Sequence, residues 1–253
     1  MKTRFDLRHL LLFAALPFIA AQSAAAELRI LAAPVLEPAL APLVAAFRND
    51  TRSEAVLTVG RLAAMRRSSD KAGTADVVVA TTDQVRMLAR REALEAEVPR
   101  ELGRVRLGVF VRDGARMPDV GTPDAFRQSL LAANSIVYDN SATGRQIASA
   151  VQTLGLTADL QMKTTRVADS DSVRDQVRRG LGDDIGIAPI TEILPYAAKG
   201  LKLVGPVPAE VHDGTAYSAA VLKNSKAPAA AQAFLQYLSS PAAKAKLAAA
   251  GVQ

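Results

Sequence analysis

The segment Asp139-Asn140-Ser141-Ala142-Thr143-Gly144-Arg145 holds the densest set of side chains able to bind a small solute. It follows the apolar run Ser135-Ile136-Val137-Tyr138 and opens a stretch of helical spacing, so its polar residues fall at a helix N-terminus. A first helical turn leaves N–H groups without intrahelical partners and carries partial positive charge. Asn140, Ser141, Thr143 and Gly144 therefore suit an anion. The same residues also suit a plain N-cap, in which Ser141 or Thr143 accepts from backbone donors and touches no ligand. Other positions share this ambiguity. Arg61 can clamp a carboxylate at two points, or lie on a solvated face beside Arg66 and Arg67. Thr81, before Thr82 and Asp83, can point at a ligand or cap a helix from Gln84. Ser170 and Ser172 alternate with Asp169 and Asp171; the acids favour a helix start and would repel an anion, which leaves the serines as the candidate contacts.

Residues for covalent or metal chemistry are scarce. The chain has no cysteine, which excludes disulfides, thiolate nucleophiles, thiolate metal sites and a lipid-modified N-terminal cysteine. Beyond the leader the only histidine is His212, and a lone histidine cannot build a zinc cluster. Asp183-Asp184 reads as a turn before a strand, not a metal pair. No Gly-x-Ser-x-Gly and no phosphate-binding glycine-rich lysine loop is present. No enzyme, cofactor or metal is nominated. The formal charge is +6, but the arginines are scattered and only 4% of residues are aromatic, so stacking platforms for nucleic acid are lacking.

The elements that would position these residues alternate. Leu28 to Ala33 reads as a strand, Ala39 to Asn49 as a helix, Ala55 to Val59 as a strand, Leu62 to Ser69 as a helix, Ala75 to Ala80 as a doubly buried strand and Gln84 to Arg91 as a helix. The pattern restarts with strands at Val105 to Val111, Ser135 to Tyr138, Lys163 to Val167, Asp184 to Ala188 and Leu201 to Val204. Helices at Pro123 to Ala132, Gly144 to Leu154 and Ser170 to Arg179 separate them. A strand at Tyr217 to Leu222 and helices at Pro228 to Leu238 and Pro241 to Ala250 close the chain, the last capped by Ser240 before Pro241. Such alternation predicts parallel sheets with crossover helices, and no Gly- or Ser-rich linker divides them. Two α/β lobes fit, residues 27–105 with 213–253 and residues 106–212, so that the chain crosses twice and can close like a hinge.

Lys2, Arg4 and Arg8, the uncharged run Leu10 to Ala21 and the small residues Ala24-Ala25-Ala26 read as a cleavable export signal; 12 apolar residues are too few for a membrane span, which needs about 20. Removing residues 1–26, which hold three of the 31 basic and one of the 25 acidic residues, leaves 227 residues with a charge of +4. A positive field favours an anionic ligand.

Several segments together resemble the periplasmic molybdate-binding protein family, within the type 2 extracellular solute-binding proteins. They are Ile30-Leu31-Ala32-Ala33, Ala72-Gly73-Thr74-Ala75-Asp76-Val77-Val78-Val79, Ser172-Val173-Arg174 with Ile185-Gly186-Ile187-Ala188, Tyr217-Ser218-Ala219-Ala220-Val221, and Phe234 to Pro241. The resemblance implies two α/β lobes, each a mostly parallel sheet flanked by helices, with an anion held in the cleft between them. It also implies the permease of an ABC importer as partner. Where the family carries oxyanion-binding hydroxyls, this sequence has Val35, Ala63 and Pro189. The combined reading is a monomeric periplasmic binding protein for a small anion, either a molybdate-like oxyanion or, from Arg61, an organic carboxylate. A periplasmic enzyme on a small substrate and a sensor module for a membrane receptor are the alternatives. Mass spectrometry of the exported protein should give a chain beginning at or near Glu27; an intact Met1 segment in the membrane fraction would show an anchor instead.

Overall fold

Runs of β-branched residues become strands and alanine-rich stretches of helical spacing become helices in the computed structural model, which describes residues 27–60, 75–96 and 98–253. Two five-stranded sheets result. The first contains β1 (Leu28–Ala32), β2 (Ala55–Val59), β3 (Val77–Thr81), β4 (Arg100–Val105) and β10 (Thr215–Val221), in the order β2-β1-β3-β10-β4. The second contains β5 (Leu107–Arg112), β6 (Ser135–Asp139), β7 (Thr164–Val167), β8 (Asp184–Pro189) and β9 (Leu201–Pro206), in the order β7-β6-β8-β5-β9. The plan is the same in both. Three parallel strands are followed by one antiparallel strand, β10 or β5, which enters directly after the chain has crossed from the other sheet.

Side-chain alternation along the strands fills a core on each face. In β1, Ile30 and Ala32 join the core under α1 (Glu37–Thr51), while Leu31 joins the smaller one under α2 (Thr82–Ala89). Helices α8 (Pro228–Leu238) and α9 (Pro241–Ala249) complete the first core, where Phe47 meets Phe234 edge to face at 5.2 Å. The second sheet is covered on one face by α3 (Pro123–Ala132), α4 (Ala142–Thr153) and α5 (Thr157–Leu160), and on the other by α6 (Ser170–Arg179) and α7 (Ile190–Ile193). The molecule is therefore two-lobed, each lobe a mostly parallel sheet flanked by helices.

Two features depart from the expectation drawn from sequence. The apolar run from Val105 to Val111 is not one strand: it breaks at Arg106, where the chain passes from β4 in one sheet to β5 in the other. Apolar patterning is blind to that change of partner. Strand β4, Arg-Glu-Leu-Gly-Arg-Val, escapes a periodicity reading because it is an edge strand with mostly exposed or half-buried residues. The expected helix at Leu62 to Ser69 lies outside the described residues.

The crossings are tied together. Arg106 Nη2 donates to the Val207 carbonyl at 2.7 Å, and the Arg104 guanidinium donates to the carbonyls of Asp213 and Gly214 at 3.0 and 3.2 Å. Gly214 needs its positive φ of 82°, since a Cβ there would press on the Val105 carbonyl oxygen at 2.9 Å. The chain's last residue pairs here too, Gln253 N donating to the Arg104 carbonyl at 2.9 Å.

Asp76 anchors the first lobe. It is 1% exposed, and its carboxylate accepts from the backbone N–H of Arg29, Lys226 and Ala227 and from the Ser225 hydroxyl, at 2.7–3.1 Å. Burial alone would raise the carboxyl, but these four bonds outweigh it and hold the group below its ordinary value of 3.8. Asp76→Ala strands four donors, so unfolding by denaturant should show a loss of about 3 kcal/mol or more. Because the folded-state pKa is depressed, the carboxylate's contribution is complete above the ordinary carboxylate range and fades as pH falls below 3.8. Stability of the Asp76→Asn variant should be lower at neutral pH and less steep in acid.

Candidate functional site

The parallel strands of both sheets end at one cleft of about 500 Å³, the place where open α/β sheets bind ligands. From the first lobe come the turn Ala33–Val35 after β1, Gly60 after β2, and Thr81 with Gln84 after β3. From the second come Asp139, Ser141 to Thr143 and Arg145 after β6, Ala168 to Ser170 after β7, and Glu192 after β8. Tyr217 reaches in from β10. Helices α2, α4 and α6 all begin here, so three N-termini bring partial positive charge to one space.

Each helix start has part of its donors met internally. Asp139 Oδ1 accepts from Ser141 N, Ser141 Oγ and Gly144 N at 2.8–3.0 Å, and Ser141 Oγ accepts from Thr143 N at 3.0 Å. Thr81 Oγ1 accepts from Gln84 N at 3.3 Å, and Asp169 Oδ1 from Ser172 N at 2.8 Å. That bond is the main reason the Asp169 carboxyl sits below the ordinary range.

Among the sequence candidates, Ser141, Thr143, Thr81 and Ser170 are brought together on the cleft wall. Thr143 is freed from capping by Ser141 and Asp139. Asn140 is exposed beside the cleft and its N–H bonds the Val167 carbonyl. Gly144 is buried behind the wall; a Cβ there would overlap the Asp139 carbonyl oxygen. Ser172 lies two positions beyond Ser170 in α6 and does not line the space. Arg61 and Ala63 are outside the described residues. Val35 presents an apolar side chain, and its carbonyl accepts from Thr191 Oγ1 of the second lobe at 2.7 Å. Pro189 ends β8 and is buried. Asp183 and Asp184 stand at the start of β8, away from the cleft; Asp183 pairs with Arg116 and Asp184 accepts from Ser135. His212 lies in the second crossing, where Nδ1 accepts from Gly214 N at 3.1 Å and burial lowers its pKa. Among the described residues no three His, Cys, Asp or Glu side chains gather as a metal would require.

Glu192 and Tyr217 were not nominated by the sequence. Glu192 accepts from Ser170 Oγ at 2.5 Å, while the nearby Arg174 guanidinium donates to its backbone carbonyl at 3.2 Å, pairs with Asp171 and stacks on Tyr196. Burial pushes the Glu192 carboxyl up; the charges of Asp139 and Asp171 add to that, and the Ser170 bond and Arg174 only partly oppose it. Burial, reinforced by the Glu192 charge, pushes the Tyr217 phenol up to about 12. The available signal was position: Glu192 is the first acid after the buried strand Ile185 to Ala188.

A two-lobed fold whose helices converge on a cleft between the lobes is a solute-trapping architecture. The chain belongs to the family described as bacterial extracellular solute-binding protein, which it matches over residues 28–253. In structure it is similar to the substrate-binding domain assigned to a molybdenum ABC transporter of Clostridium difficile (TM-score 0.72, 18% identity, 90% of this chain and 98% of that one). It is similar also to the periplasmic molybdate-binding protein of Azotobacter vinelandii (TM-score 0.69, 20% identity, 90% and 99%). In sequence it is similar to an aconitate isomerase of a Pseudomonas species, with 31% identity over 166 residues, 66% of this chain and 62% of that protein. The chain thus spans less than two thirds of that relative's length. No described helix is long and apolar enough to cross a membrane.

Two substitutions separate wall from scaffold. Thr143→Val should weaken ligand binding by about 1–2 kcal/mol by calorimetry, with stability nearly unchanged. Ser141→Ala should cost about 1 kcal/mol of stability through the lost cap.

Proposed function

We propose that this protein captures a small organic anion carrying two or three carboxylates and delivers it, as a periplasmic monomer, to the permease of an ABC importer. The observation that carries the reading is the cleft itself. Three helix N-termini and the Arg145 guanidinium face a space of about 500 Å³, while the positions that would bond a molybdate-like oxyanion hold Val35 and Pro189. A buried oxyanion loses about 1–3 kcal/mol for each missing donor, more because it is charged. An organic polycarboxylate spreads its charge over several helix ends and fills more of the volume. The +4 charge of residues 27–253 supports an anion. The lobes are residues 27–105 with 213–253 and residues 106–212, closing about the two crossings.

A second reading, an enzyme acting on such an anion, is favoured by one observation: the sequence relative is an aconitate isomerase, a name that specifies a tricarboxylate and a chemical change.

Thermal unfolding with molybdate, tungstate and sulfate beside citrate, cis-aconitate and trans-aconitate tests the ligand class. A bound carboxylate at about 100 times its Kd should raise Tm by about 5–10 °C, and calorimetry should show saturable heat. Molybdate and tungstate should do neither. Tight molybdate binding with silence from the carboxylates would overturn the reading.

A further inference from the structure

We propose that Glu192, with the Tyr217 phenol beside it, is a proton-transfer site that moves a hydrogen between the two allylic carbons of a bound unsaturated polycarboxylate, so that the cleft isomerises the ligand it captures. This inference rests on the carboxylate reading above.

The three acids that line the cleft among the described residues are not equivalent. Asp139 takes three donors at the start of α4, and Asp169 caps α6. Both carboxylates are engaged by hydrogen bonds at helix N-termini, and for Asp169 the bond from Ser172 N holds the carboxyl below its ordinary range. Glu192 caps nothing. Among the described residues one hydroxyl, Ser170 Oγ, bonds its side chain, and the nearby Arg174 guanidinium bonds the backbone carbonyl and Asp171. A half-buried carboxyl with few partners, open to a ligand space, is suited to gain and lose a proton, and the upward push on Glu192 from burial agrees. Tyr217, raised to about 12, remains a phenol and can donate to charge that develops on the ligand.

Interchanging the geometric isomers of an alkene requires the double bond to be loosened. Without cysteine the chain has no thiolate to add to the double bond, and His212 lies in the crossing with Nδ1 occupied. Proton abstraction fits the groups present. The Glu192 carboxylate removes a hydrogen from the methylene carbon next to both a carboxylate and the double bond. The C–H electron pair enters the allyl system and spreads onto the ligand's carboxylates, which face Arg145 and the helix N-termini. The Glu192 acid then returns its proton to the far allylic carbon, and the double bond moves by one position. One C–H bond breaks and one forms, Glu192 ends as it began, and no oxidant or reductant is needed. For a propene tricarboxylate the shift regenerates the same skeleton, now free to emerge as the other isomer.

The test is proton NMR of the full-length processed protein in D₂O with trans-aconitate at saturation, beside a protein-free control and calorimetry on the same sample. Deuterium should enter the methylene position and the cis isomer should appear. Glu192→Gln, checked for an unchanged Tm, should slow both by at least about 100-fold at saturation. The wild-type rate should rise with pH through the ionisation of Glu192 and then level, because the carboxylate is the base. Ser170→Ala removes a bond that favours that carboxylate, so the rising limb should move to higher pH, a shift that a purely structural serine would not cause. Binding with no exchange above the control would overturn the proposal and leave the carrier reading standing. A Glu192→Gln variant exchanging at the wild-type rate would overturn the assignment of Glu192. No binding of either isomer would overturn the ligand class itself.

Discussion

The structure turns on a constraint of backbone chemistry: the first turn of every helix leaves N–H groups that must find acceptors. Here helices from both lobes meet that requirement at one place. Thr81, Ser141 with Asp139, and Asp169 satisfy one or two donors of each helix internally, so the cleft is shaped by caps before any ligand arrives. The residual dipole field still points inward, and it tolerates carboxylates that would otherwise repel an anion. Fold and function draw on the same atoms.

Duplication of plan between the sheets follows from the same geometry. Parallel strands deliver all their carboxyl ends to one edge, and facing two such edges across a cleft requires the chain to pass between them. Each passage ends in an antiparallel strand, β5 or β10, set beside the parallel trio. Tyr217 reaches the cleft because β10 runs against β3 and is paired through Thr81. Thr191 and Val35 join the lobes with one hydrogen bond, and Thr191 directly precedes Glu192, so closure and the ionisable group share a neighbourhood.

Sequence reading recovered the alternation of strands and helices because buried strands and amphipathic helices leave periods in the chain. Its candidates Ser141, Thr143, Thr81 and Ser170 fall on the cleft wall, since hydroxyls before a helical stretch after a strand must lie near a strand's carboxyl end. It could not separate Asn140, Gly144 and Ser172 from them. One residue of displacement turns a side chain away, and only the cap geometry settles which way. Glu192 was illegible for another reason: α7 is four residues long, too short for a period, and the acid's isolation depends on where Arg174 sends its hydrogen bonds. Strand β4 and the break at Arg106 were lost because pairing across a sheet is a fact about partners, not about local pattern.

The pairing of Gln253 with Arg104 gives that residue a mechanical position. Val252 bridges to Val105, and the next residue along is Arg106, the first crossing itself. A protein domain or tag fused directly after Gln253 would therefore load the joint between the lobes, whereas one attached before Leu28 would emerge where β1 begins, at the opposite end of that strand from the cleft. Motion of the lobes by fluorescence or tethered force is therefore better followed from a label near Leu28 than from one near Gln253.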